Sequence, residues 1–301
     1  MINGIINVQK EAGYTSHDVV AKLRGILRQK KIGHTGTLDP AATGVLPVCL
    51  GKATKVCDLL TDQDKTYRCV MLLGLETDTQ DTTGQILKQQ KVTVTEQEIR
   101  DAAMEFVGEY DQIPPMYSAL KVNGRKLYEL ARAGKEVERK PRPVRIAELH
   151  IEKIKLPRVI MEVTCSKGTY IRTLCHDIGR KLGCGACMEQ LTRTRVAGFK
   201  LEDSLTIDRI ETLAKEDRLS EILIPVDALF LKYPAVFVTE EWQKALENGN
   251  RIPVPGMREW KKEWEPEPVR IYDCLGRFAG IYQYQPSAGD VKPVKIFLEK
   301  D

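Results

Sequence analysis

Apolar residues in the first three-quarters of the chain recur with two different periods. Continuous apolar runs such as GVLPVCL are typical of buried strands, and spacings of three and four residues are typical of helices that cover a sheet. Capping boxes at Thr15–Asp18 and Thr95–Glu98 mark the beginnings of two helices. The predicted strands are 3–8, 44–50, 66–73, 143–155 and 158–165. The predicted helices are 16–27, 53–60, 96–107, 126–134, 169–182 and 204–231.

The pattern changes near residue 233. From there on, short strands such as VRIYD, RFAGIYQY and VKIFLE are separated by Gly, Pro and Asp. We therefore predict a larger domain, residues 1–232, followed by a small β-rich domain, residues 233–301. Within the larger domain, a basic segment with polar turns at both ends predicts a projecting insertion. This segment, about residues 121–145, is called the basic arm below.

The composition is that of a water-soluble globular protein. The chain has 301 residues, of which 42% are hydrophobic and 29% charged, and no run approaches the ~20 apolar residues that a membrane span needs. The segment MINGIINVQKEAG has no feature of a secretory signal, so a cytoplasmic location is expected. The eight cysteines should then be reduced thiols, and the CxxC of Cys184 and Cys187 lacks the second ligand pair of a zinc site.

The net charge of +4 is distributed unevenly. Three segments, 19–38, 121–145 and 166–200, carry five basic and no acidic, nine basic and three acidic, and seven basic and two acidic residues. If these segments converge, they form a face that binds a polyanion, because phosphates neutralised by Lys and Arg release counterions. If they do not converge, each is an ordinary solvated surface. Spacing alone leaves both interpretations open.

One carboxylate, Asp39, lies within a loop of glycine, threonine, proline and small apolar residues, GHTGTLDPAATG. Gly51-Lys52-Ala53 does not match a phosphate-binding P-loop, and no second acid nearby in sequence suits a glycosidase pair. An Asp before Pro often caps a turn, which is the structural alternative. However, several glycines and the fixed backbone angle of Pro40 favour a loop that holds the acid rigidly.

Five further stretches are GHTGTLDPAATGVLPVCLGKATK, DKTYR, IPPMYSALKVNGRKLYELARAG, CSKGTYIRTL and LGCGA. These five motifs together resemble the bacterial TruB family, the tRNA pseudouridine(55) synthases. They occur in the family's order over roughly residues 3–230, and the tail resembles the RNA-binding PUA domain. The resemblance implies an α+β fold with a mixed, largely antiparallel sheet and flanking helices. It also implies isomerisation of uridine to pseudouridine at position 55, in the T loop of tRNA.

The same resemblance implies a role for six residues. Asp39 is the expected nucleophile, attacking either the anomeric carbon of the ribose or C6 of the uracil. A buried carboxylate needs a cation beside it to stay ionised, and Arg172 matches that position. Four other substrate-binding residues are implied. Tyr67 stacks on the everted uracil and assists proton movement at C5, and Tyr170 is a second aromatic of the active site. Leu191 lies in the pocket wall, and His34 fills space vacated by unstacked bases.

The family resemblance implies a tRNA partner, bound at its T stem-loop, and no metal, cofactor or membrane. We expect a monomer. A non-catalytic tRNA-binding or tRNA-folding protein is the main alternative, and a metal-dependent hydrolase is a third hypothesis. One departure from the family pattern concerns the first motif, usually KPxGxTS, in which Glu11 follows Lys10 where proline is usual. The loss of proline puts the role of Lys10 in doubt.

Overall fold

The computed structural model describes residues 1–261 and 267–298. Its strands are β1 (Gly4–Lys10), β2 (Ile32–His34), β3 (Thr43–Leu50), β4 (Lys65–Leu73), β5 (Leu75–Thr77), β6 (Ile86–Gln89), β7 (Gly108–Gln112), β8 (Lys121–Val122), β9 (Arg125–Lys126), β10 (Arg142–Lys155), β11 (Arg158–Cys165), β12 (Ala186–Val196), β13 (Phe199–Lys200), β14 (Ala235–Val238), β15 (Ile252–Pro253), β16 (Met257–Arg258), β17 (Pro268–Tyr272), β18 (Phe278–Gln285) and β19 (Asp290–Ile296). Its α-helices are α1 (Ser16–Ile26), α2 (Cys57–Thr61), α3 (Glu96–Met104), α4 (Leu127–Arg132), α5 (Ile171–Lys181), α6 (Ile207–Lys215) and α7 (Gln243–Glu247).

A large twisted sheet has the strand order β1-β3-β12-β4-β11-β10-β7, with β2 beside β3 and β13 beside β12. Each neighbouring pair is antiparallel except β3 and β12, which run parallel at Thr43–Thr192 and Gly44–Arg193. The main apolar cluster lies on one face, where β4, β11 and β12 contact α3 and α5. The mixed, largely antiparallel α+β fold is therefore confirmed.

Strand β12 occupies the centre of this sheet, between β3 and β4, although the sequence pattern predicts no strand there. The segment EQLTRTRV carries two arginines and two threonines among its apolar residues, which conceals the alternation expected of a strand. In the structure Leu191 and Arg193 are both buried, because β3 lies on one side of β12 and β4 lies on the other. A buried basic residue is therefore the reason the strand was not recognisable.

Both predicted capping boxes are present. In α1, the Thr15 hydroxyl accepts a hydrogen bond from the Asp18 amide at 3.1 Å, and the Asp18 carboxylate accepts one from the Thr15 amide at 2.8 Å. Thr95 and Glu98 make the same reciprocal pair at the start of α3. Such caps satisfy amide groups that have no partner within the helix.

The prediction of a helix over 204–231 is wrong over most of its length. Only α6 is α-helical, and it is followed by two 3₁₀ turns, Leu219–Glu221 and Val226–Phe230. The chain leaves α6 at Asp217, whose φ of 58° lies in the left-handed region. Pro225 then prevents a second helix from continuing through this position, because it lacks an amide hydrogen.

Strands β14 to β19 form a second sheet, in the order β15-β19-β18-β17-β14-β16, as the β-rich pattern after residue 233 predicts, and β5 pairs with β6. Phe230, Phe278 and Phe297 bring this sheet against the first one, in an apolar cluster that also contains residues of β1 and β3. Lys295 pairs with Asp58 at 3.0 Å across the same junction. The predicted strand VKIFLE ends at Ile296, and its last residue lies outside the described residues.

The basic arm contains the small hairpin of β8 and β9, followed by the short helix α4. Leu127 and Leu130 of α4 are buried, whereas Arg125 and Lys121 are exposed. A few apolar residues therefore anchor a segment whose basic side chains face solvent. In the described part of the chain, no helix combines the length and the apolar character that a bilayer crossing requires.

Candidate active site

Asp39 lies at the tip of the turn that joins β2 to β3. Its carbonyl accepts a hydrogen bond from the Ala42 amide at 3.0 Å, and the amide of Leu38 donates to the hydroxyl of Ser16 at 2.9 Å. The turn reaches the sheet at Gly44, where φ is 106° and a Cβ atom would lie 2.2 Å from a carbonyl oxygen of β12. Only glycine fits there. The Asp39 side chain is 39% exposed, so it can be approached from one side while the backbone is fixed.

A buried lysine braces the far side of this turn. The ammonium of Lys10 has no exposed surface and donates to the carbonyl oxygens of Glu11, Pro40 and Ala42 at 3.0, 3.2 and 2.6 Å. Burial lowers the pKa of Lys10 to about 8, and the charge of Asp39 opposes that shift. Because Glu11 contributes its backbone carbonyl, replacing the usual proline with glutamate leaves this brace intact.

Arg172, the second residue of α5, holds the Asp39 carboxylate with two donors. Its Nε lies 2.9 Å from Oδ2, and its Nη2 lies 3.3 Å from Oδ1. The same guanidinium donates to the carbonyl oxygens of Thr79 at 3.1 Å and Tyr117 at 2.9 Å, and Asp81 lies 4.0 Å from its Nε. With only 5% of its side chain exposed, Arg172 is fixed by four oxygen atoms, a geometry that its planar fork suits.

The structure brings two further predicted residues to the same wall of the site. Tyr67 in β4 and Leu191 in β12 are 8% and 9% exposed, and both belong to the apolar cluster that contains Leu38. Burial raises the pKa of the Tyr67 hydroxyl, while the nearby Arg193 guanidinium opposes that rise. Tyr67 is therefore a neutral phenol at pH 7, held within an apolar wall.

Tyr170 is the N-cap residue of α5 and has no side-chain capping bond of its own. Instead, Gln112 at the end of β7 accepts from the Tyr170 amide at 2.7 Å and donates to its carbonyl at 3.1 Å. Gln112 is 1% exposed. Burial raises the pKa of Tyr170, the charge of Asp39 adds to this rise, and the charge of Arg172 opposes it.

His34 lies at the end of β2 on the other side of the turn. Its Nδ1 accepts a hydrogen bond from the Gly36 amide at 3.3 Å, and its ring meets that of His17 edge-on at a centroid distance of 5.3 Å. Burial, together with the positive charges of His17 and Arg193, lowers the pKa of His34 to about 4. The imidazole is thus neutral at physiological pH.

This lowered pKa predicts a pH-dependent stability. Between about pH 4 and 6.5 the unfolded chain binds a proton at His34 that the folded chain does not bind, so the free energy of unfolding rises with pH. We expect His34 to contribute about 1–2 kcal/mol to this rise, less than the full shift implies because the ring is partly exposed. The contribution is complete above pH 6.5 and is lost as the pH falls towards 4.

Denaturant unfolding at pH 4.5 and pH 7.5 measures this effect. His34→Asn should reduce the difference between the two pH values by about 1–2 kcal/mol. His150→Asn, at an exposed position of β10, is the matched control and should keep the wild-type difference. The same pH dependence in both variants would show that His34 has the same pKa in the folded and the unfolded chain.

Sequence reasoning missed several residues that surround the predicted site. Arg193 and Lys65 are buried cations beside the Asp39 turn. At the start of α5, Asp81 lies near Arg172, and Gln112 accepts a hydrogen bond from the Tyr170 amide. Lys65 lies within the motif DKTYR, and Arg193 lies two residues after Leu191, but a basic residue in a strand gives no sign that it is buried. Gln112 immediately precedes the motif IPPMYS, and that position was the available signal.

Of the predicted residues, Asp39 and Arg172 form a direct pair, Tyr67 and Leu191 share one wall, and Tyr170 caps the helix that carries Arg172. His34 lies on the opposite side of the turn. The alternative in which Asp39 merely caps its turn does not explain the two-donor arginine. The remaining question is what kind of protein has this arrangement.

Comparison with known proteins answers this question. The model of the N-terminal domain of the TruB family of pseudouridylate synthases matches residues 24–171, and a tRNA pseudouridylate synthase B C-terminal domain model matches residues 172–231. A protein of Lachnoclostridium phytofermentans named tRNA pseudouridine synthase B is 53% identical over 99% of this chain and 100% of its own length. The chain belongs to the TruB family.

Other similarities agree with this membership. The Clostridium kluyveri protein named tRNA pseudouridine synthase B is 42% identical over 99% of this chain and 100% of its own length. A chain in the structure of an H/ACA RNP bound to a substrate RNA containing 2′-deoxyuridine is 28% identical, with a TM-score of 0.70 over 99% of this chain and 86% of that chain. A TruB family chain is an isomerase, and the catalytic hypothesis is therefore favoured over the non-catalytic one.

The CxxC thiols take no part in the site of this TruB family member. Cys184 follows α5 and Cys187 lies in β12, and both are buried free thiols. Burial raises the pKa of Cys187 to about 11, so it is an unreactive core residue. Within residues 1–261 and 267–298, no three or more His, Cys, Asp or Glu side chains are grouped as metal ligands.

Proposed function

We propose that this protein isomerises uridine 55 in the T loop of tRNA to pseudouridine, with Asp39 as the nucleophile. The observation that carries the proposal is the Asp39 carboxylate, held by two nitrogens of Arg172 and open to solvent on one side. Ion pairing with a fixed guanidinium keeps a carboxylate ionised, and only the ionised form is nucleophilic.

The reaction requires one bond to be exchanged for another. The bond between uracil N1 and the ribose anomeric carbon breaks, and a bond between C5 and the same carbon forms after the base has turned. The proton on C5 is lost, and N1 gains one. Asp39 assists by attacking either the anomeric carbon or C6 of the ring, and the bond that its oxygen forms breaks again before the product leaves, which restores the carboxylate. Atoms and electrons balance within the nucleoside, so we propose that no cofactor is consumed.

A uridine inside an RNA loop must leave its stack before a carboxylate can reach it. Eversion costs a few kcal/mol, and stacking on an aromatic side chain returns about 1–3 kcal/mol per base. Tyr67 is the proposed stacking partner, with Leu191 beside it in the pocket wall and Tyr170 as a second substrate-binding aromatic. His34, which is neutral, would occupy the space left by displaced bases without adding a charge.

The proposed partner is the T stem-loop of tRNA, bound by a monomer in the cytoplasm. We propose that residues 1–232 form the catalytic domain and residues 233–301 a PUA-like RNA-binding domain. The tight apolar junction at Phe230, Phe278 and Phe297 supports a fixed placement of the second domain beside the first. The exposed cations of the basic arm support binding to phosphates.

The decisive experiment uses an unmodified tRNA transcript. The purified protein is incubated with the transcript, and pseudouridine is mapped by chemical derivatisation and primer extension. We expect conversion at position 55 in the T loop. A transcript with cytidine at that position is the matched control and should remain unmodified. Absence of conversion, or conversion only at another uridine, would refute the proposal.

The basic arm gives a separate prediction about binding. Reversing two charges, Arg125→Glu with Lys126→Glu, removes phosphate contacts without changing the Asp39 pair. We expect KM for the transcript to rise about tenfold or more, with kcat changed by less than about threefold. Lys215→Glu, a single exposed charge reversal on α6, should leave both constants near the wild-type values. An unchanged KM in the double variant would contradict the proposed role of the arm.

A further inference from the structure

A guanidinium group lies inside the large sheet without a carboxylate to balance it. Arg193 of β12 has no exposed surface and is among the largest fully buried side chains. Within residues 1–261 and 267–298, no carboxylate oxygen lies within salt-bridge distance of its nitrogens. Burying an unpaired charge costs several kcal/mol, and an apolar side chain could fill the same space at lower cost. The cation therefore requires another explanation.

The contacts of Arg193 lie on both sides of the Asp39 turn. Its Nε donates to the carbonyl of Val45 at 2.7 Å, and its Nη2 donates to the carbonyl of Gly36 at 3.2 Å. Gly36 precedes Asp39, and Val45 follows it. The guanidinium therefore joins the two ends of the turn that carries the proposed nucleophile, as a rigid fork with a fixed distance between its donors.

The same side chain is directly opposite Tyr67. The register of β12 and β4 pairs Arg193 with Tyr67, and directly opposed residues of neighbouring strands project from the same face of a sheet. The charge of Arg193 acts on the Tyr67 hydroxyl and on the side chains of Lys10 and His34, lowering the pKa of each relative to burial alone. Its positive charge thus acts on three groups around the Asp39 turn.

The proposed reaction develops negative charge above this floor. When the N1–C1′ bond breaks, its electron pair passes to uracil N1, and the base carries that charge until C5 joins the anomeric carbon. We propose, as an extension of the proposed function, that Arg193 is a positioning residue: it fixes the Asp39 turn and the Tyr67 ring in one arrangement, and its unbalanced charge stabilises the departing uracil. A fixed charge in a water-poor site can do this without reorganising.

Two variants separate the effect of the Arg193 charge from that of its planar fork of donors. Arg193→Gln removes the charge and keeps amide donors, whereas Arg193→Lys keeps the charge and loses the fork. We expect kcat to fall about 10²-fold for Arg193→Gln and about tenfold for Arg193→Lys, with KM within about threefold of wild type. Rates are expressed per RNA-binding molecule, so that a loss of folded protein is not counted. Arg68→Gln is the matched control, because Arg68 adjoins Tyr67 but is exposed and paired with Glu152.

A spectroscopic measurement tests the field directly. In Arg193→Gln the pKa of the His34 ring, followed by NMR, should rise above its value of about 4, and in Arg68→Gln it should not. A wild-type kcat per RNA-binding molecule in both Arg193 variants would overturn the inference, as would an unmoved His34 titration. If the wild-type protein forms no pseudouridine, the proposed function fails instead, and the His34 titration still decides whether Arg193 sets the field of the site.

Discussion

Replacing Asp39 by asparagine should abolish pseudouridine formation while tRNA binding survives. The amide has nearly the same shape and can still accept a hydrogen bond from Arg172, so the turn should keep its conformation. It lacks the negative charge and the nucleophilic oxygen pair, and removal of a nucleophile costs about 10⁴- to 10⁶-fold in kcat. Single-turnover conversion of the transcript and a filter-binding titration measure the two properties separately.

The control for this variant is a second aspartate-to-asparagine change. Asp101 on α3 is exposed and accepts a hydrogen bond from Gln97 on the same helix, so Asp101→Asn should leave conversion and binding unchanged. Conversion by Asp39→Asn at more than about one hundredth of the wild-type rate would exclude Asp39 as the nucleophile. Loss of both conversion and binding would instead indicate that the carboxylate is needed to fold the loop.

Local features of the fold were predictable because their causes are local. The capping boxes at Thr15 and Thr95 and the apolar runs of β3 and β4 follow from short-range hydrogen bonding and burial, and the structure confirms them. The structure of the segment 204–231 was not predictable in the same way, because its helical periodicity does not reveal that the helix is interrupted at Asp217 and Pro225. Apolar spacing reports burial, whereas the backbone conformation also depends on such single residues.

The candidate site shows the same limit more clearly. Asp39 and Arg172 were predictable as a pair only through the family resemblance, since 133 residues separate them in sequence. Arg193 was not predictable, because an arginine in a strand normally faces solvent, and only the parallel pairing of β12 with β3 places it under the Asp39 turn. Whether a charged side chain is buried depends on which strands lie beside it, and the pattern of apolar residues does not determine the order of the strands in the sheet.

Arg172→Lys should reduce kcat about 10²-fold, although it preserves the positive charge. The guanidinium reaches both oxygens of Asp39 and also the carbonyls of Thr79 and Tyr117, and its donors point in fixed directions. An ammonium donates from a single atom, so it cannot bind the carboxylate and both carbonyls at these positions. Leaving buried carbonyls without donors costs about 1–3 kcal/mol, and the carboxylate is then free to turn away from the substrate.

This variant distinguishes orientation from charge. If the arginine only supplies charge, Arg172→Lys should keep nearly the full kcat, and that result would contradict the proposed geometry. Arg180→Lys, at an exposed position two turns further along α5, should change neither kcat nor the thermal midpoint. A drop in kcat with a nearly constant KM would place the fork's contribution in the chemical step, because a loss of tRNA binding would raise KM. Catalysis would then require the rigid guanidinium of Arg172 to orient the Asp39 carboxylate towards the substrate.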